Sequence, residues 1–242
     1  MRERFGTVLA LVIFAVLPTN LLGAEPQSDG KLAFLRDEAQ IATEQFSANS
    51  DRADAAAKEA KAAFDAGHLV EGCGRMEFQV TESLKAEDWA HQIIDLSIRI
   101  GEPDPGSPNM LKRLDEADAT LVAAYKQQCA PLSGVDPKGQ INAEFSLSGR
   151  VRLIQALFDQ ALNRLEATEI EAKATDYKRD GMCIDTAMAN RRLDAALLEI
   201  AEFEAFAKPA GVDTKDVIAL RKNAIQAKEL GASLTKGHCT SS

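Results

Sequence analysis

The sequence predicts an all-α protein built from two tandem, disulfide-stapled three-helix units, each an antiparallel helical hairpin with a long leading helix. Apolar residues recur at helical spacing through most of the chain, and no stretch of useful length alternates as a strand would. Cys73 and Cys129 are 56 positions apart, as are Cys183 and Cys239, and the second pair follows the first by 110 positions. This spacing predicts an internal repeat, with coincidence in one long helical array as the alternative.

The first 24 residues have the pattern of a secretory signal peptide. Arg2 and Arg4 make a basic start, an apolar run covers residues 5–17, and Ala24 is a small residue before Glu25. The alternative is an uncleaved anchor, but the run is shorter than the roughly 20 residues of a membrane span. We therefore expect cleavage after Ala24, no membrane insertion afterwards, and a periplasmic or secreted location.

Residues 25–130 form the first predicted unit. Gly67 and Gly101 are expected helix stops, and the segment after Gly101 contains three prolines that exclude helix. A pause near residues 47–50 and a turn at residues 72–74 are also expected. The predicted helices cover residues 31–66, 75–100 and 109–128.

Residues 131–140 are rich in turn formers and are predicted to be a linker to the second unit, residues 141–242. The glycine and cysteine at 181–183 repeat the expected turn, residues 209–211 break the pattern, and Asp213 or Thr214 is the expected cap of the last helix. With an offset of 110, the apolar positions of the third helix and of the last helix coincide. The predicted helices cover residues 143–177, 184–208 and 215–236.

The four cysteines, with a signal peptide, indicate an oxidising compartment and allow three pairings. The start of one helix of an antiparallel hairpin lies beside the end of its partner. Equal spacing therefore predicts Cys73–Cys129 and Cys183–Cys239. Each closed loop stabilises the fold by on the order of 4 kcal/mol in the chain-entropy model.

Composition and motifs argue against several functions. The chain has 37 acidic against 28 basic residues, which disfavours nucleic acid as a partner. It contains no Cys-x-x-Cys, no His-Glu-x-x-His, no phosphate loop and no dinucleotide fingerprint, so no cofactor is predicted. The Arg191-Arg192 pair and the carboxylates Glu166, Glu169 and Glu171 are interpreted as solvated helix faces.

One candidate metal site remains. Glu87, His91 and Asp95 are spaced by four, so they line one face of a helix and could hold zinc or manganese with help from a second helix. The alternative is that this face is solvated in the first unit and packed in the second, and that Glu87 and His91 form an ordinary helix pair. The equivalent positions of the second unit are Leu197, Ala201 and Ala205.

These observations predict a non-enzymatic interaction or scaffold module of the cell envelope, whose partner is another envelope protein or a small ligand. A helical bundle that binds a small ligand or a divalent metal is the alternative hypothesis. An enzyme is the third, because no catalytic motif supports it.

Overall fold

The computed structural model describes residues 29–132, 143–172, 179–208 and 211–239. These ranges contain six α-helices, one π-helical turn (Thr235–Cys239) and no strand, so the all-α prediction is confirmed. The helices are α1 (Asp29–Asp65), α2 (Leu69–Ile100), α3 (Ser107–Gln128), α4 (Ala143–Ala172), α5 (Arg179–Ala207) and α6 (Lys215–Leu234). The predicted signal peptide and most of the predicted linker lie outside the described residues.

The described helices pack as a bundle with α2 and α5 in the middle. A connection of only three residues joins α1 to α2, so these helices form an antiparallel hairpin. In the middle of the bundle, α2 contacts α3, α4 and α5, and α5 contacts α4 and α6. As a result, α1 and α6 are outer helices separated from each other by α2 and α5.

Three glycines mark helix ends. Gly67, Gly101 and Gly211 have φ of 80°, 92° and 69°, the left-handed conformation that glycine adopts without strain. Gly101 donates its N–H to the carbonyls of Ser97 and Ile98, which closes the last turn of α2. The predicted stops at Gly67 and Gly101 and the break ending at Gly211 are therefore confirmed.

Helix starts differ from the predictions in several places. Residues 72–74 and 181–183 were expected to be turns, but they lie inside α2 and α5, and α1 continues through residues 47–50. A Cβ at Gly72 would collide with the ring of Phe64, so this glycine lets α1 and α2 close together beside their connection. Packing there outweighs the low helix propensity of glycine. The N-cap of α6 is Thr214, one of the two predicted residues, but its side chain makes no cap hydrogen bond; the neighbouring Asp213 Oδ1 accepts the N–H of Lys215 at 3.0 Å.

Two disulfides staple the hairpins. Cys73 pairs with Cys129 and Cys183 with Cys239, with Cα–Cα distances of 5.3 and 5.5 Å, and these are the pairs that the spacing predicts. The first joins the start of α2 to the end of α3. The second joins the start of α5 to the π-helical turn after α6.

One large apolar core draws on both halves of the chain. It contains Val80 and Leu84 of α2, Leu157 of α4 and Leu193 of α5, all almost fully buried. Helices from both predicted units therefore contribute side chains to one core. The boundaries of the two predicted units stay a prediction.

The leading helix α1 packs mainly on α2. Its buried face is made largely of alanine, at positions 42, 53, 56, 60 and 63, and a small cluster of Leu35, Trp89 and Leu96 closes its amino-terminal end. Small side chains permit a close approach but bury little area per turn. The opposite face of α1 stays in solvent.

Candidate functional site

The carboxylates and imidazole predicted as a metal site lie inside the bundle. Glu87, His91 and Asp95 are 0%, 1% and 2% exposed, because α2 is enclosed by α1 on one side and by α3, α4 and α5 on others. The expectation of a solvated face in the first unit and a packed one in the second is therefore wrong. At the equivalent positions of α5, one side chain is half-buried and two are exposed: Leu197, Ala201 and Ala205.

Arg192 of α5 reaches this buried face. Its Nη2 donates to the Glu87 carboxylate and lies 3.4 Å from Oδ2 of Asp118 in α3. Ser83 Oγ donates to the other Asp118 oxygen at 2.5 Å. We call Ser83, Glu87, His91, Asp118 and Arg192 the Arg192 cluster. It connects both predicted units through charged groups.

The two neighbouring arginines of α5 have different environments. The Arg192 side chain is only 11% exposed, so its interpretation as part of a solvated face was wrong. The Arg191 side chain is 54% exposed and pairs with Asp115 of α3 at 3.1 Å, in agreement with that interpretation. A one-residue step around the helix separates these environments.

Two carboxylates share one guanidinium in the Arg192 cluster. Burial raises the pKa of Glu87 to about 10; Arg192 acts against this rise, and Asp115 and Asp118 add to it. The raised pKa of Glu87 favours its protonated form, and the carboxylates of both Glu87 and Asp118 lie against the guanidinium of Arg192. Burial lowers the pKa of His91 to about 3, with Arg164 and Arg191 acting in the same direction, so its imidazole is neutral.

The cluster offers a cation little room. His91 Nε2 lies 3.7 Å from Glu87 Oε1, but the second helix supplies the positive charge of Arg192 at this carboxylate instead of another ligand. Asp95 faces Arg99, with 3.8 Å between oxygen and nitrogen. Across the described ranges, no three His, Cys, Asp or Glu side chains are arranged to hold a metal ion. Metal binding by Glu87, His91 and Asp95 stays a prediction.

A cavity of about 80 Å³ lies between α2, α4 and α5, one turn beyond His91. Arg164 stands at its wall, where Nη1 is 3.5 Å from Asp185 and Nη2 donates to the Asp88 carbonyl at 2.6 Å. Small-molecule sites usually enclose about 300–1,000 Å³, so this cavity suits a few water molecules or one small ion. Its other lining residues are Gln92, Asp95, Leu96, Arg99 and Ala167.

A second charged network holds the other end of the bundle. Arg150 of α4 is buried, donates Nε to the Ala130 carbonyl at 2.7 Å, and donates Nη1 to Glu199 of α5 at 2.5 Å. Lys126 of α3 binds the same carboxylate, and its Nζ lies 3.0 Å from Glu202. The network connects the residue after Cys129 to α5.

Ion pairs and hydrogen bonds between distant helices were not predicted from the sequence. Arg152 makes two hydrogen bonds to Glu77, at 2.6 and 2.8 Å, and Tyr125 donates to the same carboxylate at 3.0 Å. The partners are about fifty to a hundred positions apart and follow no fixed spacing. One signal was available: Arg150, Arg152 and Arg192 have no acidic residue three or four positions away on their own helices.

The outer helices expose large apolar side chains. Phe34 and Ile41 of α1 are 60% and 48% exposed, and Ile218 and Ile225 of α6 are 53% and 46% exposed. In each helix the two positions are seven apart, so they lie on the same face. Isolated apolar side chains are normal on protein surfaces, but repeated ones on one helix face mark a candidate contact surface.

No helix within the described ranges combines the length and the apolar character that a membrane crossing requires. No protein-family model matches the chain, and comparison with curated proteins and with solved structures gives no match.

Proposed function

We propose that this protein is exported and acts as a soluble, non-enzymatic interaction or scaffold module of the cell envelope. The observation that carries the proposal is the pairing of exposed apolar residues on the two outer helices: Phe34 with Ile41, and Ile218 with Ile225. The proposed partner is another envelope protein. Nucleic acid is disfavoured by the net charge of −9.

The interior supports a structural use of its charged groups. Arg192 pairs with Glu87 and Asp118, and Arg150 and Lys126 pair with Glu199. These pairings link helices that are distant in sequence. The buried ion pairs thus orient the helices. We assign recognition to the outer surface.

Export is supported by two observations. The apolar run before Ala24 fits a signal peptide, and two disulfides fit an oxidising compartment. Intact mass of the exported protein is expected to lack residues 1–24. A full-length species retained in the membrane would contradict this part of the proposal.

The interaction is tested by photo-crosslinking in the native envelope. A photoreactive residue replaces Phe34 or Ile225 in one set of variants, and the exposed Lys58 or Glu166 in a matched set. We expect protein adducts from the apolar positions and none from the charged ones. Equal adducts at all four positions, or none at any, would overturn the proposal.

A helical bundle that binds a small ligand or a divalent metal is the second candidate. The observation that favours it is His91, whose two buried ring nitrogens have no hydrogen-bond partner among the described residues. Calorimetric titration of metal-free protein with zinc and manganese tests it. Heat that exceeds the buffer control and is lost in His91→Ala supports metal binding; no heat, or heat unchanged in the variant, removes metal binding at His91.

A further inference from the structure

The exposed face of α1 carries apolar and acidic residues in alternation. Phe34 and Ile41 alternate with Asp37 and Glu44, and all four side chains are exposed. Positions three and four apart lie on one side of a helix, so these residues form a continuous stripe. We call them the α1 stripe.

The exposed face of α6 carries apolar and basic residues in alternation. Ile218 and Ile225 alternate with Lys215 and Lys222, and these four side chains are also exposed. We call them the α6 stripe. The buried face of α6, which includes Val217 and Ala224, points to the core, so the stripe faces away from the bundle.

The two stripes have matching dimensions. Seven residues separate the apolar pair in each, which is about 10.5 Å along a helix. In an antiparallel arrangement Phe34 lies opposite Ile225 while Ile41 lies opposite Ile218. Both apolar pairs then leave water in the same contact.

Their charges match in the same antiparallel register. Asp37 lies beside Lys222, and Glu44, three residues after Ile41, lies beside Lys215, three residues before Ile218. A parallel register would instead place Asp37 opposite Arg221 and Glu44 opposite Lys228. Those two cations already pair with Glu204 and Asp194 of α5. Opposite charges around an apolar centre therefore favour the antiparallel orientation, whose cation Lys222 is not already paired among the described residues of its own copy.

The charged members of the stripes are available for such a contact. Within the described ranges, neither Asp37 nor Lys222 forms an ion pair. Lys215 lies 3.6 Å from Asp213 but its side chain is 88% exposed. Glu44 accepts a hydrogen bond from Gln40 on the same helix.

We propose that the α6 stripe of one copy of this protein docks antiparallel on the α1 stripe of a second copy. The inference rests on the proposed function and names the partner as the chain itself. Because α1 and α6 are outer helices separated by α2 and α5, each copy presents both surfaces. The contact is heterologous, so it generates rings or open chains of copies.

The experiment uses the mature, disulfide-bonded chain in sedimentation-velocity runs over a range of concentrations. One variant combines Asp37→Lys with Glu44→Lys, so that both of its stripes are basic. The other combines Lys215→Glu with Lys222→Glu, so that both of its stripes are acidic. We expect wild-type protein to self-associate, and each variant alone to associate roughly tenfold or more weakly.

The mixture of the two variants tests whether the α1 stripe and the α6 stripe bind each other. Each basic stripe then meets an acidic stripe on the other variant, so an equimolar mixture is expected to regain association. Lys58→Glu and Glu166→Lys, which change exposed charges outside the stripes, should associate as wild type. Circular dichroism checks that every variant keeps its helices.

Two results would overturn the inference: wild-type protein that stays monomeric at every concentration, or variants whose mixture associates no better than each alone. Failure of the proposed function gives a different result. If photoreactive residues at Phe34 and Ile225 form adducts with a different envelope protein while the chain is monomeric, the interaction module stands and self-association does not.

Discussion

Arg192 donates to the carboxylate of Glu87, a residue 105 positions earlier in the chain, at a place where the two side chains are 11% and 0% exposed. The pair joins α5 to α2 in the middle of the bundle. It is also the point at which the second predicted unit supplies the cation for acidic groups of the first. The stability of the fold should therefore depend on this contact more than on the surface ion pairs.

Arg192→Ala is expected to destabilise the protein by about 3–5 kcal/mol, because it removes the cation that faces the buried carboxylates of Glu87 and Asp118. The neighbouring Arg191→Ala, which breaks an exposed pair with Asp115, should cost no more than about 1 kcal/mol. Urea unfolding with intact disulfides measures both. If the two substitutions lower the free energy of unfolding equally, burial of Arg192 does not make its ion pairs more stabilising than the exposed pair of Arg191.

The raised pKa of Glu87 predicts that the free energy of unfolding decreases as the pH rises. Its pKa is raised from 4.5 to about 10, so its contribution is fully present below pH 4.5 and is lost as pH rises toward 10. The free energy of unfolding should fall between pH 7.5 and 9, a window above the ordinary His91 pKa of 6.5. Glu87→Gln, which resembles the protonated acid, should flatten this slope.

Glu82→Gln is the matched control on the same helix. The pKa of Glu82 is lowered, with burial opposing the effect of its bonds to Lys85 and Arg52. Its contribution is present above pH 4.5 and is lost as pH falls further, so this variant should keep the alkaline slope of wild type. An alkaline slope that survives in Glu87→Gln would place the responsible group elsewhere.

Two glycines of α2 should respond oppositely to alanine. A Cβ at Gly72 would collide with the Phe64 ring, whereas one at Gly74 meets no atom within 4 Å. Gly72→Ala is expected to destabilise by about 1–3 kcal/mol through overpacking. Gly74→Ala should stabilise by about 0.5–1 kcal/mol through helix propensity. Thermal melts of both variants test the close approach of α1 to α2; destabilisation by Gly74→Ala alone would contradict it.

The shared core makes a prediction for a chain cut within residues 131–140. Each oxidised fragment retains its helical sequence and its disulfide, but it loses the apolar partners that the other half provides, such as Leu84 for Leu157 and Leu193. We expect the mixed fragments to unfold cooperatively and at a higher denaturant concentration than either fragment alone. Fragments that unfold cooperatively alone, unchanged by mixing, would contradict a core shared between the two halves.

Much of the fold could be predicted from local pattern, and most of the site could not. Helical periodicity and the positive-φ positions Gly67 and Gly101 depend on neighbours in sequence, and equal cysteine spacing carries information on pairing. The environment of Glu87 depends on Arg192, whose helix arrives from the other half of the chain. A rule that places charged residues in solvent fails where a distant arginine neutralises them.

The same reasoning explains the misplaced turn at Gly72. Glycine after a short connection is a typical turn signal, but here the absence of a side chain accommodates the Phe64 ring inside a continuous helix. The sequence shows which local structures a residue such as Gly72 allows. Which of these structures forms depends on a packing neighbour that the spacing of residues along the chain does not reveal.

The two disulfides also determine how the molecule responds to mechanical force. Each bond closes a loop spanning 56 positions, and both α1 and α4 lie outside these loops. A pull on the two ends of the oxidised chain can extend only the segments outside the loops. Reduction would release roughly 190 Å of additional contour length from each loop, at about 3.4 Å per residue. The redox state of four cysteines thus sets the maximum span of this protein under tension.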